Sequence, residues 1–193
     1  MRKIVVSEFV SLDGVMEDPG GAEGFAHGGW TRSYWDDGIG KVKLDELVAS
    51  DALLLGRVTY QGFAAAWPSQ SDEMGFADRM NTLPKYVVST TLDRAEWTNS
   101  HLIRGNVVDE VSALKQQSGQ DILIGGSATL VQALMRHDLI DEYRLLVYPI
   151  VLGSGKRLFP EGRPMPLRLI DTQTFSSGVV ALTYQHASQG GNV

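Results

Sequence analysis

Twice along the chain a short apolar run stops at glycine and passes straight into a helical pattern: Ala52-Leu53-Leu54-Leu55 before Gly56, and Ile122-Leu123-Ile124 before Gly125-Gly126. Runs this short and this uniformly apolar are strands covered on both faces. Strands that alternate with helices pair in parallel, because the helix carries the chain back to the starting edge. This repeated unit of strand, glycine turn and helix predicts an α/β fold.

The remaining segments extend the pattern. Ile4 to Val10 reads as a first buried strand ended by Ser11-Leu12-Asp13-Gly14, Lys85-Tyr86-Val87-Val88 as another, and His101-Leu102-Ile103 as a short one. Helices are expected over Lys41 to Ser50, from Thr59, over Asp72 to Asn81, over Val107 to Gln117, and from a cap at Ser127 to about His137. Glu142 to Val151 predicts a long strand. Leu167 to Phe175 and Val179 to His186, joined at Ser177-Gly178, predict an antiparallel hairpin. The expected architecture is a mixed, mostly parallel sheet with helices on both faces. One domain over residues 1–187 and a loose tail over 188–193 complete the expected organisation.

Composition removes several classes of function. With 43% apolar residues, 193 positions supply a core for one domain. A net charge of -6 gives no basic field to hold a nucleic-acid backbone. There are no cysteines, which excludes thiol nucleophiles and cysteine-held metals. His27, His101, His137 and His186 lack the spacing that sets two imidazoles on one helix face, so no metal is expected. No stretch approaches the apolar length of a membrane span, and a cytoplasmic protein is expected.

Chemistry is expected where parallel strands end, because unpaired N–H groups at helix starts face outward there. At Gly56-Arg57-Val58-Thr59 the glycine admits close backbone approach, Thr59 adds a hydroxyl, and Arg57 can grip a phosphate with two donors. The same residues also fit a plain strand end with a surface arginine. Gly125-Gly126-Ser127 fits either a phosphate cradle or a tight turn, and it is not a G-x-G-x-x-G fingerprint. Between Asp18 and Gly40 lie seven glycines with Phe25, Trp30, Tyr34 and Trp35, a loop too aromatic for a linker and suited to covering a site. Asp36 and Asp37 read as acids leading into a helix, with catalysis as the second reading.

Taken in order, Ser11-Leu12-Asp13-Gly14, Leu54-Leu55-Gly56-Arg57-Val58-Thr59-Tyr60, Ile122-Leu123-Ile124-Gly125-Gly126-Ser127, Leu139-Ile140-Asp141-Glu142 and Pro149-Ile150-Val151-Leu152-Gly153 resemble the dihydrofolate-reductase-like superfamily. The resemblance is to the branch related to the reductase domain of riboflavin biosynthesis, and it runs from about Lys3 to His186. It implies a three-layer α/β/α fold and an NADPH site. In that site Gly56, Arg57 and Thr59 meet the cofactor phosphates, and Ser89 and Thr90 lie near the adenosine 2′-phosphate. Gly125, Gly126, Ser127, Ala128, Thr129 and Leu130 run along the pyrophosphate and nicotinamide ribose. A cis peptide between Gly125 and Gly126, and a homodimer through the late strands from Tyr143 to Leu152, are further implications.

Two departures bear on the substrate. Riboflavin-type reductases carry a glutamate immediately before the paired glycines, where it meets a sugar phosphate, and this chain has Ile124. Dihydrofolate reductase has an acid on its first helix; counting back from Gly56-Arg57 reaches Gly40, which has no carboxylate. Candidate substrate contacts are aromatic: Trp30 and Tyr34 from the loop, Phe63 and Trp67 after the first turn, and Tyr148 on the late strand. Phe63 and Trp67 fit ordinary helix packing equally well. Asp13 and Tyr148 are the candidate catalytic residues, as sources of a proton, although Asp13-Gly14 is also common turn chemistry. The expected function is hydride transfer from NADPH to a C=N or C=O bond of a small, planar heterocyclic substrate. The alternative is a module that senses NADPH without turnover, and a scaffold with vestigial turns would bind no nucleotide.

Overall fold

A computed structural model describes residues 1–162 and 164–187; the tail expected over 188–193 lies outside the described residues. One eight-stranded sheet organises them. Its strands are β1 (Ile4–Ser11), β2 (Ser50–Gly56), β3 (Lys85–Val88), β4 (Ser100–Ile103), β5 (Asp121–Ile124), β6 (Glu142–Tyr148), β7 (Leu167–Thr174) and β8 (Val180–His186). Their order is β4-β3-β2-β5-β1-β6-β8-β7. The six strands from β4 to β6 are parallel, and β8 runs against both β6 and β7.

Five helices are described: α1 (Asp37–Val48), α2 (Arg57–Ala66), α3 (Phe76–Thr82), α4 (Val107–Gln116) and α5 (Ala128–Met135). The alternation of each central strand distributes them between two faces. Ile4, Val6 and Val10 of β1 and Ile122 and Ile124 of β5 pack with Val111 and Leu114 of α4 and Leu130, Val131 and Leu134 of α5. Val5 and Leu123 point the other way, toward Leu47 of α1, Tyr60 of α2 and Met80 of α3. Burying the central strands on both sides is what their unbroken apolar runs required.

Element boundaries differ from expectation where a side chain intervenes. α1 begins at Asp37, because the Asp36 carboxylate accepts the Ile39 N–H at 3.0 Å and starts the helix before Lys41. Asp72 accepts from the amides of Phe76 and Ala77 at 3.0 and 2.6 Å, so it precedes α3 instead of lying within it. β6 stops at Tyr148, since Pro149 has no N–H to continue the ladder. The edge strand β7 is exposed almost throughout, with Leu169 and Ile170 at 47% and 41% exposure.

Candidate active site

The two glycine turns meet. Leu53 of β2 is registered with Leu123 of β5, so the strand ends bring Gly56 beside Gly126. Contact follows: the Ser127 hydroxyl accepts the Gly56 N–H at 2.9 Å, and the Thr59 hydroxyl accepts the Ser127 N–H at 2.9 Å. A Cβ on Gly126 would lie 2.9 Å from Thr59 Cγ2, and Gly126 has φ of +67°. Only glycine meets both demands without strain. Ser127 itself has φ of +59°, a region that costs a non-glycine residue about 1 kcal/mol; the two bonds across the turns hold it there.

Ser127 stands at the N-cap of α5 but makes no side-chain cap, because its hydroxyl is spent on Gly56. Gly56, at the N-cap of α2, has no side chain to cap with. Two helices therefore begin side by side with uncapped N-termini, and their first amides and positive dipole ends converge. Arg57 is exposed, and among the described residues its guanidinium bonds only Gln61, one turn along α2, at 2.9 Å. The expected cis bond between Gly125 and Gly126 is absent: no cis peptide occurs among the described residues, and the turn reverses through the left-handed backbone of Gly126 and Ser127.

Gly56 is registered with Val88 of β3, which puts Ser89 and Thr90 one strand over from Arg57. The Ser89 side chain is buried and accepts the Thr91 and Leu92 amides at 3.2 and 2.9 Å, whereas Thr90 is exposed. Leu130 packs its side chain into the core below α5, and its Cβ would lie 3.9 Å from a Cβ placed on Gly56. Ala128 is partly buried and Thr129 exposed at the start of the same helix.

The aromatic candidates separate into two groups. Trp30, Tyr34 and Phe9 surround Tyr148 edge-on, with ring centres 5.3, 6.0 and 5.6 Å from it. Phe63 and Trp67 instead pack with one another and with Phe76 of α3, at 6.4 and 5.2 Å, in the cluster under α2. The structure does not join Phe63 and Trp67 to the loop aromatics, and the helix-packing reading describes them.

Neither expected proton source is free. The Asp13 carboxylate accepts from the Ser11 hydroxyl at 2.6 Å and from the Leu152 and Gly153 amides at 3.1 and 2.9 Å. These bonds, the Ser11 hydroxyl foremost, lower its pKa from 3.8 to about 2. Asp13 thus clamps the end of β1 to the chain after β6 and carries no proton at neutral pH. Tyr148 is fully buried, its hydroxyl has no partner among the described residues, and burial, reinforced by the charge of Asp36, pushes its pKa up. Asp36 is itself engaged at the start of α1 and with the Ser176 hydroxyl at 3.2 Å.

Several buried polar groups escaped the sequence reading. Glu8, 5% exposed on β1, accepts the Gly126 N–H at 2.9 Å. Glu46 of α1, 4% exposed, pairs with Lys43 at 2.8 Å and accepts the Ser7 hydroxyl at 2.7 Å. The Asp18 carboxylate accepts the amides of Ala22, Glu23 and Phe25, fixing the glycine-rich loop. The available signal for Glu8 and Glu46 was a carboxylate inside an otherwise apolar strand or helix face.

The sheet is mixed, and the two glycine turns stand together at the ends of its central parallel strands β2 and β5. The chain belongs to the family described as the RibD C-terminal domain, which matches residues 2–181. It is 32% identical to YyaP of Bacillus subtilis (strain 168) over 187 residues, covering 95% of this chain and 94% of that protein. Among solved structures, a putative riboflavin biosynthesis protein from Shewanella sp. PV-4 superposes with a TM-score of 0.72 at 22% identity, covering 96% of this chain and 99% of that one. Dihydrofolate reductase from Enterococcus faecalis, complexed with NADP(H), superposes with a TM-score of 0.60 at 15% identity, covering 95% and 96%. The fold is dihydrofolate-reductase-like.

Proposed function

We propose that this chain is an NADPH-dependent oxidoreductase acting on a C=N or C=O bond of a small, planar heterocyclic substrate. The observation that carries the reading is the pair of uncapped helix starts joined by the 2.9 Å bond from Gly56 to Ser127, beside the exposed guanidinium of Arg57. Such a cradle suits a dinucleotide, whose phosphates need several N–H donors and a cation. The first amides of α2 and α5, from Arg57 and Thr59 and from Ala128, Thr129 and Leu130, would hold the phosphates. Thr90, with the Ser89 turn behind it, would face the 2′-phosphate. When bound, NADPH supplies the hydride.

The protein's own part is orientation. Of the rings Trp30, Tyr34 and Tyr148, half-buried Tyr34 is the one a flat substrate could lie against, with Trp30 and Tyr148 buried behind it as its support. With Asp13 ionised and the Tyr148 hydroxyl enclosed, water is the proton source in this reading. The same observation favours the second reading, an NADPH sensor without turnover. A homodimer through Tyr143 to Leu152 does not fit, because β6 lies between β1 and β8 with Tyr143, Leu146 and Tyr148 buried. A homodimer would instead use the exposed edge strand β7 with its Leu169 and Ile170, which mass measurement in solution checks. Among the described residues no helix is long and apolar enough to cross a membrane.

Titration with NADPH and NADH tests the cofactor assignment. Arg57→Ala is expected to weaken NADPH binding by roughly 10- to 100-fold, the range for a charge-assisted bond, and to narrow the preference over NADH. Unchanged affinity would remove Arg57 from the site. NADPH oxidation across a panel of imines, pterins and quinones separates enzyme from sensor: tight binding with no turnover favours the sensor.

A further inference from the structure

Glu8 lies on the face of β1 shared with Ile4, Val6 and Val10, in the apolar layer packed against α4 and α5. Its Oε2 accepts the Gly126 N–H at 2.9 Å, while Oε1 is buried with no partner among the described residues. Lys43 and Glu46 are the charged groups acting on it from α1. Lys43 is already paired with Glu46 and bonded to the Ser7 hydroxyl, so one cation serves two buried acids. Among the other described residues around it, α5 has no titratable side chain, Lys115 of α4 is paired with Asp141 while Asp109 and Glu110 of that helix are exposed, the residue of β6 in register with Glu8 is Leu145, and Arg157 lies against Asp13. A buried carboxylate left without a cation or a second donor takes up a proton.

We propose that Glu8 is a positioning residue for the cofactor that works as an uncharged acid, holding the Gly126 amide and keeping negative charge away from the turn that receives the dinucleotide phosphates. This rests on the NADPH reading. Burial pushes the Glu8 carboxyl well above its ordinary range, only partly offset by the Gly126 amide and Lys43, in agreement with that geometry. Through Gly126 the group acts on Ser127 and Gly56, which share the same chain of bonds. Ile124 leaves no carboxylate immediately before the glycine pair; Glu8 brings one to the turn from the neighbouring strand, in a form that does not repel an anion. The ionised form would put a charge of the phosphates' own sign next to them in a poorly screened setting. Cofactor affinity should therefore fall as Glu8 loses its proton.

Two measurements on the intact chain test this. In the free protein, 13C carboxyl NMR, with the Glu8 signal assigned by its loss in Glu8→Gln, should give a midpoint far above those of the surface glutamates. In NADPH titrations between pH 7 and 9.5, wild-type affinity should fall by about tenfold. Glu8→Gln, which keeps the acceptor for Gly126 but cannot ionise, should match wild type at pH 7 and stay flat. A group with a purely structural role would leave both proteins with the same slope. A Glu8 midpoint in the ordinary carboxylate range, or equal slopes, overturns the proposal while NADPH binding stands. No NADPH binding by wild type at any pH overturns the cofactor reading and the proposal with it.

Discussion

The two halves of the site are built by opposite means. At the glycine turns, small residues bring backbones together, and three bonds of 2.9 Å fix them: Gly126 to Glu8, Ser127 to Thr59, Gly56 to Ser127. On the aromatic side, large rings fill space around Tyr148, whose own hydroxyl bonds nothing among the described residues. The first half specifies direction through hydrogen bonds. The second specifies shape and the exclusion of water.

Breaking each half in turn sharpens that contrast. Trp30 is 6% exposed, and its indole N–H donates to the Glu17 carbonyl at 2.9 Å. Trp30→Ala should cost about 3 kcal/mol by leaving a cavity, read as a lower midpoint in urea unfolding, with NADPH affinity of the folded fraction retained. Loss of NADPH binding without loss of stability would contradict the division. Gly126→Ala should reverse the pattern. Its positive φ and the approach to Thr59 should cost about 2 kcal/mol of stability and, by displacing the turn amides, impair NADPH binding as well.

Smaller effects probe individual bonds. Ser127→Ala removes the acceptor of the Gly56 N–H and should cost about 1 kcal/mol; an unchanged thermal midpoint would show that the turns hold without it. Tyr148→Phe deletes a buried hydroxyl that bonds nothing among the described residues, so stability should hold or rise by up to about 1 kcal/mol. Turnover should also persist, whereas a collapse of kcat with normal KM would restore Tyr148 as a proton relay.

Asp13 sets the last test. Its pKa is lowered from 3.8 to about 2, so the native state binds that proton more weakly than the unfolded chain. The stability it contributes is complete above 3.8 and is lost as pH falls through about 2. Asp13→Asn should make acid unfolding shallower across that window and leave the neutral-pH activity profile without a missing acidic limb. A lost limb near neutrality would identify Asp13 as a catalytic acid after all.

What was legible and what was not follows from distance along the chain. The strands β3 and β5 and the glycine turns are local patterns: β3 stands at its expected residues and β5 takes in Asp121 ahead of the apolar run, while α2 begins at Arg57, two residues before the expected Thr59. Helix starts shifted where Asp36 and Asp72 used their carboxylates on nearby amides, a choice local propensity does not settle. Phe63 and Trp67 were grouped with Trp30 on residue type alone, yet they lie in a cluster beneath a different helix.

By itself the sequence determined the α/β alternation, the places where backbone must approach backbone, and the likeness to a reductase family, because apolar period and glycine act over a few residues. Only the tertiary structure decided the rest. The order of the parallel strands set Glu8 against Gly126 and Gly56 against Ser127, contacts between residues 118 and 71 positions apart. Those pairings, together with burial, turned Asp13 into a clamp, Tyr148 into a core ring, and Glu8 into a buried acid whose pKa burial raises, since a side chain's charge and role depend on what faces it.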